Sequence, residues 1–366
     1  MKKIITVIFF LLVIQRAGHA QDPEADSILH SLDTARQDTD RVKQMTCLAE
    51  HYKYHLPDSA LFYGYKAVAL ARQIKFPEGE VEALAYITMT QMEVGNHAKA
   101  LEITLRGLII AEKNNLVNAK AFFLSALAHI YSEAKNYGKA LNKFREAKAL
   151  YDFLLDSTSA TVQQGFIGET YLMLNQLDSA LYYCQSAYET AIRLKIGWAI
   201  CGTLLHLGRI QQKKGNISLA LAHFRQTLLM PSEPIYTFGS YFYIAQLYQQ
   251  INRPDSCIYY AKKSLETVHG RGFYTNIIDA NMLLSGMYEK SDPKKALQYS
   301  KMALSSKDSL YNLGKTTSLE NFIAFDEQER QYEIETAKAA YRSQVKQYIS
   351  IAGLLVLLLI AFIVYR

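Results

Sequence analysis

The feature that most constrains this chain is a small-residue pattern that returns about every 40 residues. Ala60-Leu61, Ala100-Leu101, Ala140-Leu141, Ala180-Leu181, Ala220-Leu221, Cys257-Ile258 and Ala296-Leu297 follow one another in steps of 40, 40, 40, 40, 37 and 39 residues. Seven residues after each anchor stands another small or short residue: Ala67, Gly107, Ala147, Ala187, Thr227, Ser264 and Ala303. Eleven or twelve residues before each stands a third: Ala49, Thr88, Ala128, Gly168, Gly208, Ala245 and Ser285. Turn-forming pairs such as Gly95-Asn96, Asn175-Gln176 and Gly215-Asn216 separate the two classes. A fixed period of this length marks a repeat architecture, in which each unit buries its apolar face only against its neighbours.

The spacing predicts a helix A, a tight turn and a helix B in every unit. Two antiparallel helices approach to about 8–10 Å only where small side chains meet, and the third-class residue of helix A facing the Ala that opens helix B supplies that contact. Tyr52, Tyr131, Tyr171, Tyr248 and Tyr288 on helix A, with Phe144 and Phe224 on helix B, fill the space beside it. Much of the content of 26 tyrosines is thereby assigned to packing. Asp58, Asp178 and Asp255 stand where the turn meets helix B and are expected to cap it. Pro231 and Pro234 mark the step of 37, where a local break in stacking is expected. Residues 24–37 read as a lone helix closing the N-terminal end.

The pattern resembles the tetratricopeptide repeat, with its small-x-x-Tyr on helix A, Gly-Asn turn and Ala-Leu…Phe-x-x-Ala on helix B. The resemblance covers roughly residues 40–310. It implies an all-α, right-handed solenoid of about seven helical hairpins. The period near 40 exceeds the usual 34, and the six extra residues are expected to lengthen helix B and its connection. The only tryptophan, Trp198, falls between repeats in this register.

The resemblance further implies that helix A side chains line a concave groove. By that analogy the groove shows Met89, Met92 and Glu93, then Phe122, His129 and Glu133, then Glu169 and Met173, then Arg209 and Lys213, then Phe242, Gln246 and Gln250. Its charge runs from acidic at Glu93, Glu133 and Glu169 to basic at Arg209 and Lys213, with Met and Phe between. Such a surface suits an extended peptide or an amphipathic helix. The Lys/Asn clamp for a C-terminal carboxylate is not evident.

No catalytic constellation stands out. His129 and His206 lack an H-E-x-x-H or His/Cys metal spacing, and Gly270-Arg-Gly272 is an isolated turn without the glycines of a phosphate loop. Cys47, Cys184, Cys201 and Cys257 form no C-x-x-C pair and mostly occupy packing positions. The chain is therefore expected to be no enzyme and to need no cofactor or metal. The formal charge of +6 includes Lys2, Lys3 and Arg16 of the N-terminal leader. What remains is too small a surplus for nucleic-acid binding.

The two ends suggest where the chain works. Lys2 and Lys3, the apolar run Ile4 to Ile14, and Gly18-His19-Ala20 have the order of a secretory signal peptide, residues 1–20. The run covers only about 16 Å as a helix, too short to span a bilayer core of roughly 30 Å. Residues 348–365 hold sixteen residues from Ile349 to Val364 with Ser350 their only polar member, flanked by Tyr348 and Tyr365. As a helix of about 27 Å they are expected to cross the lipid bilayer. Residues 21–39 then form the N-terminal cap, 40–310 the solenoid and 311–347 a long helical juxtamembrane stalk. The stalk's apolar seam of Phe322, Phe325 and Tyr332 runs on through Thr336, Ala339 and Ser343 and could pair two copies.

This order is similar to the extracytoplasmic sensory halves of tetratricopeptide-containing bacterial histidine kinases and membrane-anchored helix-turn-helix regulators. The resemblance implies an inner-membrane, single-pass protein with its repeats in the periplasm, binding a protein or peptide as the sensor of a longer receptor. A passive envelope scaffold is the alternative. No kinase or DNA-binding segment lies within the chain to carry those activities.

Overall fold

The structure is a computed structural model that describes residues 22–54, 56–268, 274–313 and 341–342. The described backbone is helical, with fifteen helices in chain order. Helix α1 (Pro23–Thr34) stands alone, and the others pair as seven hairpins. These are α2 (Asp38–Tyr52) with α3 (Pro57–Gln73), α4 (Pro77–Glu93) with α5 (His97–Lys113), and α6 (Val117–Glu133) with α7 (Tyr137–Phe153). Next come α8 (Ser157–Met173) with α9 (Leu177–Arg193) and α10 (Gly197–Lys213) with α11 (Ile217–Leu228). The last two are α12 (Pro234–Gln250) with α13 (Pro254–Thr267) and α14 (Tyr274–Tyr288) with α15 (Pro293–Leu313). Residues 1–315 form one compact unit and 316–366 a second, in which only Tyr341 and Arg342 are described.

The cadence is finer than the sequence period. Helices α3 to α10 are 17 residues each, and they begin at residues 57, 77, 97, 117, 137, 157, 177 and 197. The residues beyond the usual period are therefore shared equally by helices A and B, not placed in helix B as the sequence suggested. Three-residue links of one design explain the regularity. After α6, Asn136 N–H donates to Tyr131 O at 2.8 Å and Lys135 N–H to Ser132 O at 2.9 Å, with Lys135 at φ 59°. This is a Schellman ending. Asn136 is also the N-cap of α7, its side chain accepting from Lys139 N–H. Asn96 and Asp156 serve α5 and α8 in the same way. Asp58, Asp178 and Asp255 are not caps. They sit at the second helical position, behind Leu56, Gln176 and Arg253, where a carboxylate still favours the positive helix end. Six of the seven prolines open a helix (Pro23, Pro57, Pro77, Pro234, Pro254 and Pro293), where no N–H is needed.

The small residues lie where the pattern put them. Ala100, Ala140, Ala180 and Ala220 are fully buried, as are Ala67, Ala147 and Thr227. A β-carbon added to Gly168 would lie 2.5 Å from Cys184 Sγ, 2.9 Å from its backbone nitrogen and 3.3 Å from Ala180 O. Helix A thus meets helix B at the Ala-Leu anchor. Beside these contacts tyrosines stack in pairs across the hairpins: Tyr171 on Tyr183 at 5.3 Å, Tyr248 on Tyr260 at 5.5 Å, Tyr288 on Tyr299 at 5.7 Å. The A helices α2, α4 and α6, and likewise α8, α10 and α12, also touch one another directly. Closest approach among the A helices makes theirs the inner face of the curve.

The Pro231/Pro234 junction differs. Helix α11 has 12 residues instead of 17, and a five-residue link precedes α12. The break is confined to that link, because Phe224 still stacks on Tyr243 at 5.5 Å. The four thiols are free, with Cys47 exposed and Cys184, Cys201 and Cys257 buried. Among the described residues no helix is long and apolar enough to cross a membrane. The leader, the run 349–364, most of the stalk and Gly270–Gly272 lie outside the described residues.

Candidate functional site

A cluster of polar and aromatic side chains forms on the inner face where α8, α10 and α12 run side by side. Two columns of residues repeat there at the helix spacing: Phe166, His206 and Tyr243, and one turn further along, Glu169 and Arg209. Arg209 Nη1 donates to Glu169 Oε1 at 2.6 Å and Nη2 to Met173 Sδ at 3.8 Å. The guanidinium also stands 5.3 Å from the Tyr243 ring centroid, a cation–π arrangement. His206 Nδ1 lies 3.6 Å from Glu169 Oε1, beyond hydrogen-bonding distance, and is buried without a partner. His129 on α6 is held edge-on between Phe144 at 4.9 Å and Phe166 at 4.4 Å.

Electrostatics follow from this packing. Burial alone would raise the Glu169 carboxyl, but His206, Arg209 and His129 overrule it and hold it down at about 2. Burial lowers His129 to about 4 and lowers His206 as well, against the pull of Glu169. Near neutrality both imidazoles are uncharged, so Arg209 is the lasting counter-charge to Glu169. The site is a neutralised ion pair flanked by neutral rings.

Over that pair opens a cavity of about 250 Å³. Phe166, Trp198, Leu205, Ile235 and Tyr236 form apolar and aromatic walls, and Glu169, His206 and Tyr243 reach into it. Glycines make the room. The column that carries Phe122 on α6 and Val162 on α8 carries Gly202 on α10 and Gly239 on α12. A β-carbon at Gly202 would meet only Tyr236 Cε1 at 3.6 Å, and one at Gly165 only Thr203 Cγ2 at 3.5 Å. These glycines are not demanded by helix packing, unlike Gly168.

No family model matches the sequence, and no curated protein does. Solved structures do match the fold. NprR in complex with its cognate peptide NprX is similar over 92% of this chain and 93% of its own, with a TM-score of 0.58 at 13% identity. A tetratricopeptide repeat protein from Parabacteroides merdae ATCC 43184 covers 74% of this chain and 96% of its own, with a TM-score of 0.48 at 15% identity. The APC/C hetero-tetramer Cut9-Hcn1 covers 79% of this chain at 16% identity with a TM-score of 0.48, and this chain spans about half, 54%, of that one. The chain folds as a tetratricopeptide-repeat solenoid.

Within the solenoid, the residues proposed from the sequence for the groove divide into three groups. Glu169, Arg209, Met173 and His129 converge on the central site. Met89 and Phe122 line a second cavity between α4 and α6, Phe122 standing edge-on to Phe123 at 5.3 Å. Met92 and Gln246 are half-buried, while Glu93 and Glu133 reach solvent, and Gln250 accepts from Gln212 Nε2 at 3.4 Å. Although the residue reaches solvent, burial of its carboxyl raises Glu93 to about 7, with Lys53 opposing.

Two expectations need correction. Phe242 is not a groove residue: it is buried, stacked on Phe238 at 5.5 Å and packed with Val268 and Ala280 of the following elements. The charge gradient also disappears. Arg209 is spent on Glu169, while Lys213 Nζ donates to Leu172 O at 3.3 Å and Asn175 Oδ1 at 3.5 Å. The basic end is neutralised within the solenoid, and with it Glu169 of the acidic end.

Sequence reasoning missed Trp198, Gly202, His206 and Tyr243. Trp198 does not lie between repeats; it is in the first turn of α10. The signal that finds the others is columnar: reading every helix A three residues ahead of Glu169 and Arg209 gives Phe166 and His206.

Proposed function

We propose that this solenoid is an interaction module that takes a segment of a partner protein along its inner face, seating one large apolar or aromatic side chain in the cavity over the Glu169–Arg209 pair. The cavity carries the reading, because it joins aromatic walls to a few convergent polar groups, the composition of a recognition pocket. The fold's likeness to NprR, whose structure holds the peptide NprX, supports a peptide as occupant. We further infer from the leader and the apolar run 349–364 that the solenoid is exported and held by a single span at a bacterial inner membrane, as the sensor part of a signalling receptor. Nothing among the described residues points to catalysis.

Trp198 makes the reading testable, since it is the sole tryptophan and lines the cavity. Phage-displayed random peptides selected on the full chain should converge on a sequence with one aromatic or large aliphatic residue. The selected peptide should shift or quench Trp198 emission, and Gly202→Leu should abolish both binding and shift with helicity retained. Peptides that bind wild type and Gly202→Leu alike would overturn the assignment. Reporter fusions before residue 348 and after residue 366 test the topology: phosphatase activity only at the first site is expected, and activity at neither would refute export.

A further inference from the structure

The inner face has a second cavity, of about 780 Å³, between the N-terminal halves of α4 and α6 and the start of α8. Its floor is apolar and aromatic, from Tyr86, Met89, Phe122 and Tyr151. Its charged lining is of one sign, Glu78, Glu82 and Asp156, with no Lys, Arg or His among the described residues that line it. Glu78 and Glu82 are exposed, and each side chain can reach an incoming cation. Asp156 accepts from Ser159 N–H as the cap of α8.

From this cavity we propose that the N-terminal half of the groove is a docking site for a cationic amphipathic segment, its Lys or Arg side chains meeting Glu78 and Glu82 while its apolar side chains enter the cavity. The inference rests on the peptide-binding reading above and deepens it, by naming the partner's chemistry and a second contact point. Two observations favour it. Glu82 is already an uneasy charge: partial burial of its carboxyl raises it, Glu50 raises it further, and Lys43 opposes. A partner cation would relieve that repulsion. Among the described residues neither Glu78 nor Glu82 makes an ion pair, whereas Arg209 bonds directly to Glu169.

The test uses the full chain in a non-ionic detergent with two labelled octapeptides, one alternating Lys with Leu and Phe and the other carrying Glu at every Lys position. Fluorescence polarisation should show the cationic peptide binding at least tenfold more tightly, with affinity falling as salt rises. Glu78→Gln/Glu82→Gln should weaken it roughly five- to tenfold. Glu78→Lys/Glu82→Lys should reverse the preference, and these exposed positions leave helicity intact. Equal binding of the two peptides, or an unchanged affinity in the Gln variant, would overturn the proposal. Loss of cationic binding in Gly202→Leu with none in the Gln variant would also overturn it, while leaving the central pocket standing.

Discussion

Arg209 and Glu169 sit 40 residues apart and meet at 2.6 Å, locking helix A of one repeat to helix A of the next. The two side chains are 18% and 29% exposed, so the pair is largely withdrawn from water. Breaking one member leaves an uncompensated charge, a loss of about 3–5 kcal/mol for a fully buried pair and, with this residual exposure, roughly 1–3 kcal/mol. Arg209→Met should lower the unfolding free energy read from chemical denaturation by that amount. The double variant Glu169→Gln/Arg209→Met should lose less than the sum of the single losses, and strict additivity would show that the two do not interact.

Acidification should weaken the solenoid in two stages. His129, lowered to about 4, stays neutral in the fold but charges when unfolded, so its contribution is complete above pH 6.5 and is lost as pH falls toward 4, and the lowered His206 acts in the same direction. Glu169, held at about 2, contributes fully above its usual 4.5, and that contribution is lost as pH falls toward 2. Urea midpoints against pH should show the first stage shrink in His129→Phe and the second in Glu169→Gln. Unchanged profiles in both variants would contradict the burial described here.

Two glycines on neighbouring A helices should respond in opposite directions. Gly168→Ala drives a β-carbon against Cys184 and its backbone and should cost about 1–3 kcal/mol. Gly202→Ala meets nothing closer than 3.6 Å and gains helix propensity, which should add about 1 kcal/mol. Thermal melts of the two variants decide the matter, and a stabilised Gly168→Ala would refute the helix A–helix B contact.

Much of this architecture can be read from residue spacing, and what cannot has a physical cause. Gly168 and Ala180 were legible because close helix approach admits only small side chains, and size is visible in a sequence. The Glu169–Arg209 pair was read as two ends of a gradient, because a charge alone does not tell whether its partner lies one repeat away. Phe242 was misplaced by the step of 37. Three residues turn a helix by about 300°, so the residue matching Phe122 is Gly239, and Phe242 points into the next repeat. Asp58, Asp178 and Asp255 look like caps in the sequence because an acid two residues into a helix leaves the same mark as one at its border.

The links offer a further check. Leu155 adopts φ 57° with its side chain 87% exposed, a conformation that disfavours a β-carbon. Leu155→Gly should raise stability by roughly 1 kcal/mol, and Gly215→Ala, at φ 81°, should lower it by a similar amount in the same melts. An unchanged melting temperature in both would argue against the left-handed links.

Because a single residue both closes one helix and opens the next, the three-residue links from α3 to α11 are equivalent splice points. Gene duplication or excision of a 40-residue block would rejoin the chain without any new connection having to evolve. Descendants of this ancestor could therefore differ in reach, holding longer or shorter partners, while the local chemistry of each joint stayed the same.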